Sequence, residues 1–168
     1  ADFVADWFSV GGEEASHFLM LNRRLQSLGS HYGALPAHDG LWEAAEATAD
    51  SLLARLAIAP MVLEARGLDV TPGMAARLEA AGDADSAAIL ETIYADEIGH
   101  VRTGVRWFGA LCERRGVLAA ETFAALVADR YRGGLKPPFN EEGRTAAGMA
   151  TAFYRDWYGA CAETAGRR

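Results

Sequence analysis

Cysteine is scarce. Only Cys112 and Cys161 occur in 168 residues. Secreted mini-folds use more, so the two read as reduced thiols of a cytoplasmic protein. Proline is also sparse, at 5 residues against 18 glycines and a 51% apolar content. That balance excludes collagen-like, low-complexity and disordered chains. No apolar run reaches the roughly 18 residues that span a membrane. Ala1-Asp2-Phe3 is not a signal-peptide start. Positive charge is short as well: 16 Lys and Arg stand against 23 Asp and Glu, for a net charge of −7. This argues against non-specific nucleic-acid binding while leaving room for a local basic patch. An initiator Met is absent, and Ala1-Asp2-Phe3-Val4 already reads as helix, so further residues are expected upstream.

Val, Ile and Thr are scattered while Ala, Leu, Glu and Arg dominate, which predicts an all-α fold without strands. One domain is expected over 1–168. The first helix is predicted over about Phe3 to Leu28, with Gly29 as its stop. The second runs from about Leu41 to Arg66 and stops at Gly67. Thr71-Pro72 reads as a cap with proline at the first helical position, opening a short helix to Ala81. Asp83 caps a long helix to about Arg115, roughly 48 Å at 1.5 Å per residue. A C-terminal extension over about 120–161 holds a helix from Ala120 to Tyr131, a Gly133-Gly134 and Pro137-Pro138 loop, and a last helix from about Glu141 to Cys161.

The informative feature is what sits on the apolar faces. Along the first helix, Phe3, Trp7, Val10, Glu14, His17, Leu21 and Leu28 share one stripe. Along the long helix, Leu90, Ile93, Glu97, His100, Gly104, Trp107 and Leu111 do the same. Each stripe is interrupted at one place, and there each carries Glu-x-x-His. A buried, unpaired carboxylate costs several kcal/mol or neutralises itself by a pKa shift. A divalent metal is a natural compensation, because side chains at i and i+3 are neighbours and can reach one ion together. Ferritin-like di-iron and di-manganese bundles are built this way, with a Glu from each of two helices and Glu-x-x-His from each of two others. With thirteen Glu and four His in the chain, roughly 0.3 such pairs are expected by chance, so two on buried stripes are a specific signal. The competing reading is a pair of buried Glu–His hydrogen bonds without metal.

Each ligand Glu is preceded by an acid, Glu13 or Asp96. Metal-bound His donates its second ring N–H to a carboxylate, so Asp96 is expected to orient His17 and Glu13 to orient His100 across the bundle. Solvated acids beside the stripe are the alternative. A third helix should add a Glu. Glu43, Glu46, Asp50 and Glu64 are available, and periodicity alone does not choose. Glu43 and Glu46 are more simply first-turn charges favoured by the helix dipole. Glu64, in the apolar stretch Met61-Val62-Leu63-Glu64, is preferred. Pro60 one turn earlier must kink that helix or restart it.

These residues carry a resemblance. The stretches Asp6-Trp7, Glu13-Glu14-Ala15-Ser16-His17-Phe18, His38-Asp39-Gly40-Leu41-Trp42-Glu43, Leu63-Glu64-Ala65-Arg66-Gly67-Leu68-Asp69-Val70-Thr71-Pro72-Gly73-Met74, Asp96-Glu97-Ile98-Gly99-His100-Val101, Arg106-Trp107-Phe108 and Lys136-Pro137-Pro138-Phe139-Asn140 resemble the ferritin-like proteins grouped as domain of unknown function 455. The resemblance covers about residues 3 to 150. It implies a ferritin-like four-helix-bundle fold with extra C-terminal helices and a di-metal carboxylate centre holding two ions, most simply iron, with manganese or zinc as alternatives. It implies Glu14, His17, Glu64, Glu97 and His100 as ligands. More distantly, the group is similar to a di-iron tRNA hydroxylase. The resemblance also implies an earlier helix with one more ligand Glu, which this chain lacks. Three carboxylates and two neutral His leave two divalent ions one negative charge short. The apolar surface bared by that missing helix is expected to be covered by the last helix or by a homodimer partner.

Tyr94, three residues before Glu97, is a candidate redox or hydrogen-bonding residue, with a plain core tyrosine as the alternative. Gly11-Gly12 and Gly99 are expected to permit close helix contact or a bulge near the site. Arg23-Arg24, Arg114-Arg115, and Arg130 and Arg132 with Lys136 form basic clusters, read as solvated surface, with RNA contact the minority reading. Phosphate loops, dinucleotide motifs, a zinc His-Glu-x-x-His and a nucleophile triad are all missing. The functional expectation is a di-iron or iron/manganese oxidoreductase that uses O₂ on a small-molecule substrate. The alternative is a non-catalytic bundle serving structure or interaction.

Overall fold

The Ala-, Leu- and Glu-rich segments fold as helices throughout. The computed structural model describes residues 2–155, and no strand occurs among them. In chain order the elements are α1 (Phe3–Ser27), α2 (Gly40–Ala47), α3 (Leu52–Ile58), a π-helical segment (Ala59–Glu64), α4 (Ala65–Ala80), α5 (Ala84–Arg115), α6 (Ala119–Arg130), α7 (Glu141–Ala146) and a 3₁₀ turn (Thr151–Phe153). Local chemistry sets the ends. Asp2, Ser51, Asp83 and Asn140 cap α1, α3, α5 and α7 by accepting backbone N–H groups. Gly116, at φ 66°, closes α5 in the left-handed conformation that costs glycine little.

The second helix expected over Leu41 to Arg66 is divided. It breaks at Thr48–Ser51, where the Thr48 hydroxyl donates back to the Ala44 carbonyl at 2.8 Å and Ser51 caps the next helix. From Leu52 the chain then runs helically to Ala80. Gly67 does not stop it, and Thr71-Pro72 does not begin a new helix. Pro72 cannot donate to the Leu68 carbonyl one turn before it, a defect worth about 3 kcal/mol in an ordinary helix. Here the Asn140 side-chain amide donates to that carbonyl at 3.0 Å, so the helix passes through. Pro60 acts differently from a plain kink. Its missing donor is absorbed by a wider π-helical register, in which the Ala65 N–H reaches the Pro60 carbonyl.

The core lies between α3, the π-helical segment, α4, α5 and α6, and includes Ile58, Met61, Leu68, Val101, Phe108, Phe123 and Tyr154. α5 is its spine and packs most extensively on α4. Gly104 lets α5 approach the π-helical segment, since a Cβ there would lie 2.4 Å from the Pro60 Cβ. Gly11, Gly12 and Gly99 instead face open space, so the close contacts expected at them are not made. The expected last helix ends early, at Ala146, before a turn containing Gly148 at φ 73°. Residues 156–161 of it, with Cys161, fall outside the described residues. α7 is held by Arg144, whose guanidinium forks onto Asp69 of α4 at 2.8 and 2.7 Å and lies over the rings of Phe139 and Tyr154. α1 is the least buried long helix: only Val10 and His17 are fully covered, while Phe8 is 78% exposed.

Candidate metal centre

α1 and α5 run side by side with their two Glu-x-x-His stripes facing, and the extended helix beside α5 delivers Glu64 at the end of the π-helical segment. Donor atoms of Glu14, Glu97 and His100 all lie within 4.8 Å of one another. His100 Nδ1 is 3.1 Å from Glu14 Oε1 and 3.5 Å from Glu97 Oε2. His17 flanks this group: its Nδ1 is 3.7 Å from Glu14 Oε1, and its ring centroid is 5.6 Å from that of His100.

The outer nitrogens are held crosswise. His17 Nε2 is 3.0 Å from Asp96 of α5, and His100 Nε2 is 2.7 Å from Glu13 of α1. With each Nε2–H donating to its carboxylate, each Nδ1 lone pair faces the cluster, which is the orientation a metal ligand needs. Both Nδ1 atoms are buried without a hydrogen-bond partner, and so are Glu64 Oε2 and Glu97 Oε2. Buried polar atoms are nearly always paired. The unpaired atoms of Glu97 and His100, beside Glu14, therefore fit a bound cation, while His17 and Glu64 stand outside that closest group of three.

Electrostatics agree. Burial, reinforced by the charges of Glu97 and Glu14, pushes the Glu64 carboxyl up to about 7. Burial opposes a charge on His100, yet the surrounding carboxylates of Glu14, Glu97 and Glu13 outweigh it and raise the imidazole to about 11. The adjacent His100 imidazole holds Glu14 below the usual carboxylate range, against its partial burial. Five carboxylates surround two imidazoles, so the cluster draws in positive charge, as a proton on His100 or as a metal cation.

Tyr94 lies elsewhere in its contacts. Its hydroxyl accepts from the Asn140 amide at 3.0 Å, at the junction of α4, α5 and α7, and no hydrogen bond joins it to the cluster among the described residues. The basic clusters are partly committed to neighbours. Arg24 is held by Asp83 and Asp85, and Arg130 by Asp50 and Asp129. Periodicity did not single out Asp69, Asn140 and Arg144, which lock α7 onto α4 beside Tyr94. Their one signal was that Asp69 and Asn140 lie in stretches that carry the family resemblance.

A helical bundle with this candidate carboxylate–imidazole triad is consistent with a ferritin-like di-metal carboxylate bundle. The family model described as protein of unknown function DUF455 matches residues 1–155, and the chain belongs to that family. A Haemophilus influenzae protein bearing the name "Uncharacterized protein" is 43% identical over 156 residues, covering 92% of this chain and 54% of that protein. The chain thus spans about half the length of that relative. No solved structure matches it. No helix among the described residues is long and apolar enough to cross a membrane.

Proposed function

We propose that the cluster holds two iron ions, or an iron/manganese pair, and that the protein is an O₂-dependent oxidoreductase acting on a small molecule in the cytoplasm. The observation that supports this best is the convergence of unpaired, buried Nδ1 and Oε2 atoms from His17, His100, Glu64 and Glu97 beside Glu14. Each such atom left unpaired costs about 1–3 kcal/mol. The donor set is carboxylate and imidazole without thiolate, which suits iron and manganese and also admits zinc. When bound, iron supplies electron transfer and O₂ activation.

The chain's own residues have definable tasks. Glu14, Glu97 and His100 form the tightest donor group, and His17 and Glu64 complete it. Glu13 and Asp96 keep the protons on the outer nitrogens and so aim the lone pairs inward. Burial makes Glu64 hold a proton more readily than a free carboxyl, and cation binding would release it.

A second reading rests on the same crosswise pairs. With His100 protonated, the two imidazoles and their carboxylates form an ion network that ties α1 to α5 without any metal. Elemental analysis and O₂ uptake separate the two. About two iron ions per chain, with O₂ consumption in the presence of a reductant, support the oxidoreductase. Zinc at one ion or less, with no O₂ uptake after iron loading, overturns it in favour of the structural network.

A further inference from the structure

A cleft of about 510 Å³ opens between the loop leading into α2 and the C-terminal end of α6, and Leu63 of the π-helical segment lines it. That volume falls within the range of small-molecule sites. Its walls are apolar at Leu41, Ala44 and Leu63 and polar at His38, Glu43, Tyr131 and Arg132. Arg130 also lines it, but its charge is already matched by Asp50 at 2.9 Å and Asp129 at 2.7 Å.

The remaining polar groups are not matched. Among the described residues, the Arg132 guanidinium and the Glu43 carboxylate make no hydrogen bond or ion pair, with one another or with anything else. The Tyr131 hydroxyl likewise has no hydrogen-bond partner. His38 accepts the Gly40 N–H on Nδ1 at 3.3 Å, which leaves Nε2 as its free ring nitrogen. One cleft therefore holds one unpaired cation, one unpaired anion and neutral donors beside apolar walls. A purely anionic ligand would meet Glu43 and the acids around Arg130. A purely cationic one would meet Arg132.

We infer that this cleft binds a small zwitterion of the amino-acid class. Its carboxylate faces Arg132 and the Tyr131 hydroxyl, its ammonium faces Glu43, and an apolar side chain rests on Leu41, Ala44 and Leu63. Arg suits a planar carboxylate, which its guanidinium grips in two places. The site does not depend on the metal cluster.

Calorimetric titration with three probes tests the inference, on protein as isolated and again after chelation. The probes are L-leucine, 4-methylpentanoate, which lacks the ammonium, and 3-methylbutylamine, which lacks the carboxylate. L-leucine should bind saturably and about tenfold tighter than either of the others, in both metal states. Arg132→Ala should lower L-leucine affinity about tenfold and leave the amine unchanged, with Arg132→Lys recovering part of the loss. Glu43→Gln should do the converse, weakening L-leucine and sparing 4-methylpentanoate. Both side chains are exposed, so circular dichroism should show both variants folded. Three outcomes overturn the inference: no saturable binding of L-leucine, equal affinity for all three probes, or L-leucine affinity unmoved by both substitutions.

Discussion

One methyl group at Gly104 tests whether the approach of α5 to the π-helical segment builds the site. A Cβ there would meet the Pro60 Cβ at 2.4 Å and its Cγ at 2.5 Å. Both are ring atoms of a buried proline, with no rotamer to swing aside. α5 and the π-helical segment must therefore separate, by roughly an ångström, in a close-packed interior. Overpacking of this kind costs about 1–3 kcal/mol. Alanine returns up to ~1 kcal/mol of helix propensity, so Gly104→Ala should destabilise by about 1–2 kcal/mol. For a chain of this size that lowers Tm by roughly 2–8 °C. Gly109, on the same helix, supplies the comparison, because a methyl group added there would meet nothing within 4 Å. Gly109→Ala should raise Tm slightly. Thermal unfolding of metal-free protein by circular dichroism reads both. Gly104 is one turn from His100 and Pro60 one turn from Glu64, so metal titration of Gly104→Ala should also show weaker binding. A Gly104→Ala protein as stable as the parent, or a shift of the same sign in both variants, would refute the argument.

Other residues give separate tests. Asn140→Ala strips the Leu68 carbonyl of its donor and α7 of its cap, and should cost about 2–3 kcal/mol in urea unfolding. Asn140→Asp keeps the cap but has no N–H for that carbonyl, and should fall between the two. Asp96→Ala and Glu13→Ala each free one imidazole from its orienting carboxylate. Each should weaken metal binding about 10–100-fold in a competition titration. In metal-free protein the Glu64 pKa rises from 4.5 to about 7 on folding. Between those values the folded state holds the extra proton, so stability should fall as pH climbs from 4.5 to 7. Glu64→Gln should flatten that window in denaturation measured across pH, and an unchanged slope would reject the assignment.

Sequence periodicity was enough for the meeting of the two stripes. α1 and α5 are long, their apolar positions repeat at helical spacing, and a Glu-x-x-His is conspicuous on a face otherwise made of Trp, Val, Ile and Leu. α5, predicted over about 83–115, spans Ala84–Arg115 for the same reason. The middle of the chain was less legible because its boundaries depend on tertiary partners. Pro72 looks like a helix start until Asn140, far along the chain, supplies the donor that lets a helix continue. Thr48 closes α2 and Ser51 caps α3 through side-chain hydrogen bonds that compete locally with a continuous helix, a tendency periodicity does not weigh. Gly104 stood on the predicted stripe as one small residue among large ones, and its contact with Pro60 needed coordinates. The buried Asp69–Arg144 pair was hidden because each residue alone reads as surface charge.

The way α1 is attached explains why its cluster is both a site and a joint. A helix of this length would ordinarily dock through a broad apolar face, yet only Val10 and His17 are fully buried. Its ties to α5 include Phe3 against Trp107, Asp6 accepting from the Trp107 indole and from Arg106, the two crosswise imidazole–carboxylate pairs, and Arg24 on Asp83, Asp85 and Ser86. Most of these are polar, and each polar tie is individually weak when it faces water. The two His–carboxylate pairs are the exception, because their imidazoles are buried and a broken pair leaves an unsatisfied ring nitrogen behind. Orientation of both Nδ1 lone pairs therefore depends on the register of α1 against α5. That register in turn is held by the groups that orient them. A cation bound by Glu14 and His17 from one helix and Glu97 and His100 from the other would bind only the docked arrangement. Its binding energy then adds to the docking of α1.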